Sequence, residues 1–485
     1  MSDTDRYSKI FPPISTIKFP DIEPLIQQYG LPLHIIFKEK IAEQAKLFQY
    51  VSAKHYPDTM ICFAVKSNPC MGAIKAMKVL GLGIDAVSEY ELEAAINAGI
   101  PTEKIVCNGN AKTDNYLHKA ISRNVLLAVD SDMEMKIIEQ IASEINVKAR
   151  ILLRISRMPL DGLTSADQST ASAWTKFGFP YDEIKPVLNS LRNHRWIKYH
   201  GISAHIGTQI CDLKGYIKLL KHMVRLVELA DTHGLHTNFI DIGGGFPISY
   251  LPKADWENFQ QRLMDQLNGI ASEEDHVSWD NDPMGFSHFK HSEIVSINDW
   301  KGKAYWSPHP GSHMLESLLL AESDNGISIG NRLKELGTPT LIIEPGRSLI
   351  GAAGVTLAEV MSVKKVMGNW VIMLDIGIVN HGTNLITSDI YPVKVLPELD
   401  SDKQIEAFIG GRLCFTGDMI SKAKIKFNRL PHRGELLAIY HTGAYCADHF
   451  SSNSCGYSLP AKVAVDGQHQ DEVWRERQGF NDVFK

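Results

Sequence analysis

From about residue 40 to about residue 350, short β-branched and aliphatic runs alternate with stretches of helical periodicity. "MICFAVKSNP" precedes "MGAIKAMKVLG", and "GIDAVS" precedes "EYELEAAINAG"; further runs are "KIVCNGN", "NVLLAVDS", "RILLRIS", "GISAHIGTQ", "NFIDIGGGFP" and "PTLIIEPGR". Strands alternating with helices predict parallel βαβ units. Several predicted strands end on polar or glycine tips, at Lys66, Asp85, Asn108, His205, the glycines after Asp241, and Glu344. Closing the sheet gathers such tips on one rim, where barrel enzymes hold their active sites, so an α/β fold with a TIM-like (β/α)8 barrel is expected here.

After residue 350 the texture changes to "GVTLAEVMSVKKV", "NWVIMLDIG", "QIEAFIGG" and "ELLAIYHTGAY", β-rich segments without intervening helices of similar length. This predicts an antiparallel β-barrel or sandwich domain over 351–485, to which residues 1–39, with "STIKF" and "LHIIF", add strands. The barrel is expected over 40–350, interrupted by an unusual segment at about 272–336 that fits neither texture. Loops of that length inside a compact domain are usually functional or disordered.

A length of 485 residues accommodates two such domains. The net charge of -6, with charges well mixed, supplies no basic footprint for nucleic acid and no block suited to an anionic membrane. The seven cysteines (Cys62, Cys70, Cys107, Cys211, Cys414, Cys446 and Cys455) are scattered without CxxC spacing, indicating neither a disulfide framework nor a metal site. The polar N-terminus has no apolar signal core, and no apolar span reaches bilayer length. A cytoplasmic small-molecule enzyme is the resulting expectation.

The candidate chemistry sits at the strand tips. In "CFAVKSNP", Cys62 to Val65 read as a buried strand closed by the turn residues Ser67, Asn68 and Pro69, so Lys66 stands at the exit. A lysine snorkelling to water would satisfy this pattern, as would a desolvated amine able to form a Schiff base. "DIGGGFP" follows an apolar strand with Gly243, Gly244 and Gly245, where missing side chains let backbone N–H groups approach a phosphate. "EPGR" adds the carboxylate of Glu344 and the cation of Arg347, and "SAHIGTQI" adds His205 and Thr208. Each alone has an ordinary structural explanation. Together, a reactive lysine, a phosphate turn, an acid for a heterocyclic nitrogen and an arginine meet the needs of pyridoxal phosphate.

"FAVKSN", "SAHIGTQI", "DIGGGFP", "EPGRSLIGAAG", "CFTGD" and "GAY…SSN" occur in an order and spacing that resemble the fold type III pyridoxal phosphate decarboxylases, the diaminopimelate and ornithine decarboxylases. "GNAKTD" and "TKFGF" resemble the diaminopimelate branch. The resemblance implies an alanine racemase-like barrel and a homodimer with shared active sites. It assigns Lys66 to the Schiff base, Glu344 to the pyridine nitrogen and His205 to one ring face. Asp85 matches an acidic position near the lysine. Thr208, Gly243 to Gly245, Gly346, Arg347 and Tyr445 match the surroundings of the phosphate, and Cys414 matches the cysteine that arrives from the partner subunit to protonate Cα.

Two departures bear on the substrate. Where that branch reads "CESGD" and "LIRPALY", this chain reads "CFTGD" and "LITSDIY": Phe415 replaces a glutamate for the distal amine, Thr387 replaces an arginine for the distal carboxylate, and Tyr391 is retained. Without the arginine, a second carboxylate loses a bidentate partner. Arg347, Thr387, Asp389, Tyr391, Phe415 and Asp418 form the expected substrate set, with Asp389 facing a bare terminal ammonium. D-ornithine or D-lysine is the expected substrate; decarboxylation of meso-diaminopimelate or of a related amino-acid conjugate, a racemase, and a cofactor-binding protein without turnover are the alternatives. Ser454 stands where the family usually carries an aromatic residue.

Overall fold

The computed structural model describes residues 22–160, 174–286, 294–300, 302–382, 390–398, 404–466 and 470–484. The chain divides into two compact units. One, the barrel unit, gathers Ala42–Pro247 and Ser307–Leu349; the other, the β unit, gathers Ile248–Trp306, Ile350–Lys485 and the described part of Met1–Ile41.

Strand β1 (Leu33–Phe37) belongs to the β unit. The barrel unit follows with β2 (Thr59–Ala64), β3 (Gly83–Ala86), β4 (Ile105–Cys107), β5 (Leu126–Val129), β6 (Ala149–Ser156), the two-residue β7 (Phe179–Pro180), β8 (Ile197–Ala204), β9 (Phe239–Asp241) and β10 (Thr340–Ile343). All pair in parallel in the order β2-β3-β4-β5-β6-β8-β9-β10, and β10 returns to β2 with Leu341 opposite Thr59, closing the ring. The expected closed barrel is thus present. Its strands are almost wholly buried, as parallel strands covered on both faces must be.

Local sequence explains how strands pass into helices. After β3 and β5 the chain reads "SEYE" and "SDME"; Ser88 and Ser131 accept from the backbone N–H of Glu91 and Glu134 at 3.2 Å. The two glutamates reach back to the N–H of Val87 and Asp130 at 2.7 Å. Helix-starting N–H groups are satisfied on the spot, a contribution of about 1 kcal/mol per cap, and each strand tip is held at a set angle.

The β unit is a nine-stranded sheet among the described residues, adding β11 (Gly354–Val366), β12 (Asn369–Leu374), β13 (Val393–Leu396), β14 (Ile405–Gly410), β15 (Met419–Phe427), β16 (Leu436–Tyr440), β17 (Ala461–Val465) and β18 (Asp471–Arg475). It is mixed rather than purely antiparallel: β1 runs parallel to β17, and β12 parallel to β14. The "LHIIF" run is β1, buried at every position between β11 and β17, so it is a central strand. "STIKF" lies outside the described residues.

The unusual segment divides. Residues up to Trp306 group with the β unit and Ser307 onward with the barrel unit. Tyr250, Trp256, Phe259, Leu263, Val277, Phe286 and Tyr305 share a core with Val360, Ile372, Ile409 and Ile439. The side chain of buried Gln266 binds the N–H of Val277 and of Ser278 at 2.7 and 3.0 Å, tying the irregular stretch to its helix. The chain therefore enters the β unit twice after leaving the barrel unit at Pro247, first with an aromatic-rich excursion and then with the sheet. Among the described residues no helix is long and apolar enough to cross a membrane.

Candidate active site

The C-terminal ends of the barrel strands bring together most of the expected residues. Lys66 lies in a single 3-10 turn, Val65–Ser67, that follows β2 directly. Ser67 and Asn68 are fully buried; the Ser67 hydroxyl donates to the Ala64 carbonyl at 2.8 Å and the Asn68 N–H to that of Val65 at 2.8 Å, which sets the turn. The lysine side chain keeps 31% exposure, while its Nζ meets Oδ2 of fully buried Asp85 at 2.6 Å. The expected strand exit is therefore occupied by an ammonium held on a buried carboxylate. Removing one member of such a pair leaves an uncompensated charge.

Asn108, at the tip of β4, joins this pair to a second acid. Its Nδ2 donates to Asp85 Oδ1 at 2.8 Å and to Glu344 Oε1 at 2.7 Å. Hydrogen bonds to charged groups contribute about 1.5–3 kcal/mol each, so one amide fixes two carboxyls. The turn after Asn108 is braced by buried Lys112, whose Nζ donates to the carbonyls of Gly109 and Ala128 at 2.7 Å and to Glu134 at 2.8 Å.

Glu344 follows β10, and its N–H donates to the Gly243 carbonyl at 2.8 Å. Its carboxyl lies close enough to that of Asp241, the last residue of β9, for each to change the other's hold on a proton. Asp241 accepts from Gly243 N–H at 2.9 Å and from the Ser203 hydroxyl at 3.1 Å. Burial, then the neighbouring charges of Asp241 and Asp85, push Glu344 well above the usual carboxylate range, against the opposing pull of Lys66. Burial likewise raises Asp241. Two neighbouring buried carboxyls disfavour double ionisation, so a proton shared by the pair is favoured.

This pair predicts a pH dependence. A carboxyl whose folded-state pKa is raised binds its proton more tightly when folded, so stability is highest below the ordinary value of about 4 and is lost as pH rises through the folded value. Each unit of raised pKa corresponds to about 1.4 kcal/mol. Melting temperatures of the cofactor-free protein are therefore expected to fall between pH 5 and pH 8 more steeply for the wild type than for Asp241→Asn. Parallel slopes would remove the shared proton.

The glycines form a cradle. A Cβ on Gly243 would lie 2.2 Å from His205 Nδ1, one on Gly244 2.5 Å from the Glu344 carbonyl oxygen, and one on Gly245 2.7 Å from that of Gly207. Gly243 and Gly245 also take φ of 67° and 91°, which favours glycine. His205 Nδ1 accepts from the Gly244 N–H at 3.0 Å, which assigns the ring proton to Nε2. Burial, then the charges of Lys66 and Arg154, hold this histidine well below its usual range, so the ring is neutral. Half-buried Thr208 lies in the loop whose Ile210 N–H donates to the Gly245 carbonyl at 2.9 Å. Gly346 packs against Ser67, where a Cβ would come within 3.0 Å of the serine side chain, and Arg347 begins the short helix Arg347–Ile350.

The remaining expected residues lie in the β unit. Cys414 and Phe415 are exposed on the loop between β14 and β15. Asp418 closes that loop: its buried carboxylate accepts from the N–H groups of Ile378 and Leu413, both at 2.6 Å. Tyr391 is 2% exposed, its hydroxyl 3.2 Å from Cys446 Sγ and its ring edge-on to Tyr250 and His381. Tyr445 sits at φ 65°, edge-on to His449. Thr387 and Asp389 lie outside the described residues.

Residues 38–281 match the family described as pyridoxal-dependent decarboxylase, pyridoxal binding domain. The chain belongs to the pyridoxal-dependent decarboxylases. A diaminopimelate decarboxylase of Aquifex aeolicus is 28% identical over 428 residues, 87% of this chain and 84% of that protein. Among solved structures, diaminopimelate decarboxylase from M. jannaschii in complex with L-lysine matches with a TM-score of 0.75 at 21% identity, covering 95% of this chain and 93% of that one. Lysine/ornithine decarboxylase from Vibrio vulnificus complexed with putrescine matches with a TM-score of 0.65 at 18% identity, covering 92% and 97%. These structural likenesses carry the fold. The chain is accordingly a pyridoxal phosphate-dependent carboxy-lyase that acts on an amino acid.

The site of this decarboxylase fits its cofactor. A Cβ-free turn beside a neutral histidine, an amine at a strand exit, and a buried acid held by an amide offer room for a phosphate, an attachment point and a partner for a ring nitrogen. The motifs mark Asn108 only as a strand tip and give no role to it, to Asp241, to Ser203 or to Lys112. The available signal was "VCNGNAK", an asparagine-glycine turn directly after a strand with a lysine close behind.

Proposed function

We propose that this decarboxylase removes CO2 from a diamino acid with a single carboxylate, D-ornithine or D-lysine, and releases the diamine. The observation that carries the reading is Phe415. This residue stands where the diaminopimelate branch has a glutamate, 49% exposed on a loop whose backbone is braced by Asp418. An aromatic ring cannot pair with the distal amine as a carboxylate does. Thr387 in place of an arginine removes the partner for a distal carboxylate, and Asp389 offers an anion for a terminal ammonium. Tyr391, Asp418 and Arg347 complete the substrate set.

Lys66 is the attachment amine, released when the substrate amine takes its place, with Asp85 holding its ammonium in the released state. When bound, pyridoxal phosphate supplies an aldehyde for the substrate amine and a ring that accepts the electron pair left by departing CO2. Glu344 holds the proton at the ring nitrogen, its carboxyl kept in line by Asn108 and Asp241. The neutral imidazole of His205 covers one ring face without adding a second cation. Thr208, Gly243 to Gly245, Gly346, Arg347 and Tyr445 hold the phosphate. Cys414, contributed across a homodimer, returns the proton to Cα. The mixed charge and the seven free cysteines support a cytoplasmic setting.

The names of the curated relatives favour a second reading, meso-diaminopimelate itself. A CO2-release screen over D- and L-ornithine, lysine, arginine and meso-diaminopimelate separates them. D-ornithine or D-lysine is expected to exceed meso-diaminopimelate in kcat/KM by at least about tenfold, equivalent to about 1.4 kcal/mol. Preferred turnover of meso-diaminopimelate establishes the second reading, and CO2 from none of them defeats both.

A further inference from the structure

The segment after β16 is an arch under backbone strain. His441, Tyr445 and Ala447 have φ of 62°, 65° and 64°, in the left-handed region that residues with a Cβ occupy only where their surroundings over-determine it. Backbone contacts hold both ends: Gly443 N–H donates to the Gly351 carbonyl at 3.1 Å, and Ala447 N–H to that of His381 at 2.8 Å. The Ala447 carbonyl accepts from Ser451 Oγ at 2.5 Å and from Arg475 Nη1 at 2.6 Å.

Asp448, the next residue, turns its carboxylate inward. It ion-pairs with Lys462 Nζ, and its other oxygen lies 3.2 Å from Arg475 Nη1. Lys462 is only 2% exposed on β17, and the Asp448 side chain only 6%. A buried ion pair is a poor source of stability, since apolar residues of similar volume usually do as well; its better-attested use is to fix one arrangement among several. Here the triad is anchored at one end to the sheet and at the other to Ala447 and Asp448, two and three residues after Tyr445 within the arch.

We infer that Asp448, clamped by Lys462 and Arg475, is a positioning residue that acts through Tyr445 to set affinity for the cofactor phosphate. The inference rests on the reading of Tyr445 as a phosphate contact.

The test compares pyridoxal phosphate with pyridoxal, which lacks the phosphate. Binding of each to the cofactor-free full-length chain is followed by absorbance and by quenching of intrinsic fluorescence. Asp448→Asn should weaken pyridoxal phosphate at least about tenfold and pyridoxal less than about twofold; placed on Tyr445→Phe it should add less than about twofold, because the two act in series. Asp448→Leu combined with Lys462→Met replaces the buried pair by apolar volume, and should melt as the wild type does yet show the same selective loss. Equal weakening of both aldehydes, additive losses with Tyr445→Phe, or full pyridoxal phosphate affinity in the Leu/Met variant would overturn the inference. Should Tyr445→Phe bind pyridoxal phosphate as the wild type does, the phosphate reading of Tyr445 falls and takes the inference with it. A weakened Tyr445→Phe beside an unaffected Asp448→Asn overturns the inference alone.

Discussion

Lys66→Ala is expected to lower decarboxylation by at least about 10³-fold, within the range lost when a positioned catalytic group is removed. The reason is the double duty of that amine. It sits on a turn whose neighbours, Ser67 and Asn68, are fully buried, so its backbone position is fixed at the strand exit. Its removal also strips the cation from Asp85, leaving a buried carboxylate beside the Asn108 amide without that positive charge. Borohydride treatment of the wild-type holoenzyme should fix the cofactor on the peptide that contains Lys66. Label recovered on another lysine, or a Lys66→Ala variant within about tenfold of wild type, would defeat the assignment.

Glu344→Gln is the second large effect, an expected loss of about 10²- to 10³-fold in kcat with little change in KM. The substitution keeps the shape and one acceptor for Asn108, so the fold of the rim should persist. What it loses is the ability to hold an anion against a protonated ring nitrogen. The Asp241 partner makes this a sharper test than a lone carboxylate would allow: with the pair sharing a proton, Asp241 remains nearby but directs its oxygens to Gly243 and Ser203. Steady-state kinetics decide the matter. A fall in KM affinity at unchanged kcat would move Glu344 from the chemistry to substrate binding.

How much of this was readable beforehand differs from residue to residue. Lys66, His205 and Glu344 stand out because each follows an apolar run and precedes turn residues, a local pattern that survives without knowledge of partners. Asp241 and Asn108 occupy equivalent tips, yet a carboxylate before three glycines and an asparagine before a glycine are also what ordinary turns contain. Their roles come from pairing: Asn108 lies between Asp85 and Glu344 only because β4 stands two strands from β2 and β2 pairs with β10. The long segment before "EPGR" was opaque for a related reason. Its aromatic residues join a core whose other surfaces come from strands more than fifty residues further on, such as those of Val360 and Ile439.

By itself the amino-acid order determined the alternation of strand and helix, the caps that hold each strand tip, and the set of reactive groups available at those tips. These follow from nearest-neighbour forces: burial of periodic apolar faces, hydrogen bonding of helix starts by Ser88 and Ser131, and turn preferences of glycine and proline. The insertion of β1 between β11, to which it runs antiparallel, and β17, to which it runs parallel, and the meeting of the Asp241 and Glu344 carboxyls at one buried rim were decided only by the tertiary structure. Each depends on groups distant in the chain meeting in a region from which water is excluded, where a charge must find its partner or give up its ionisation.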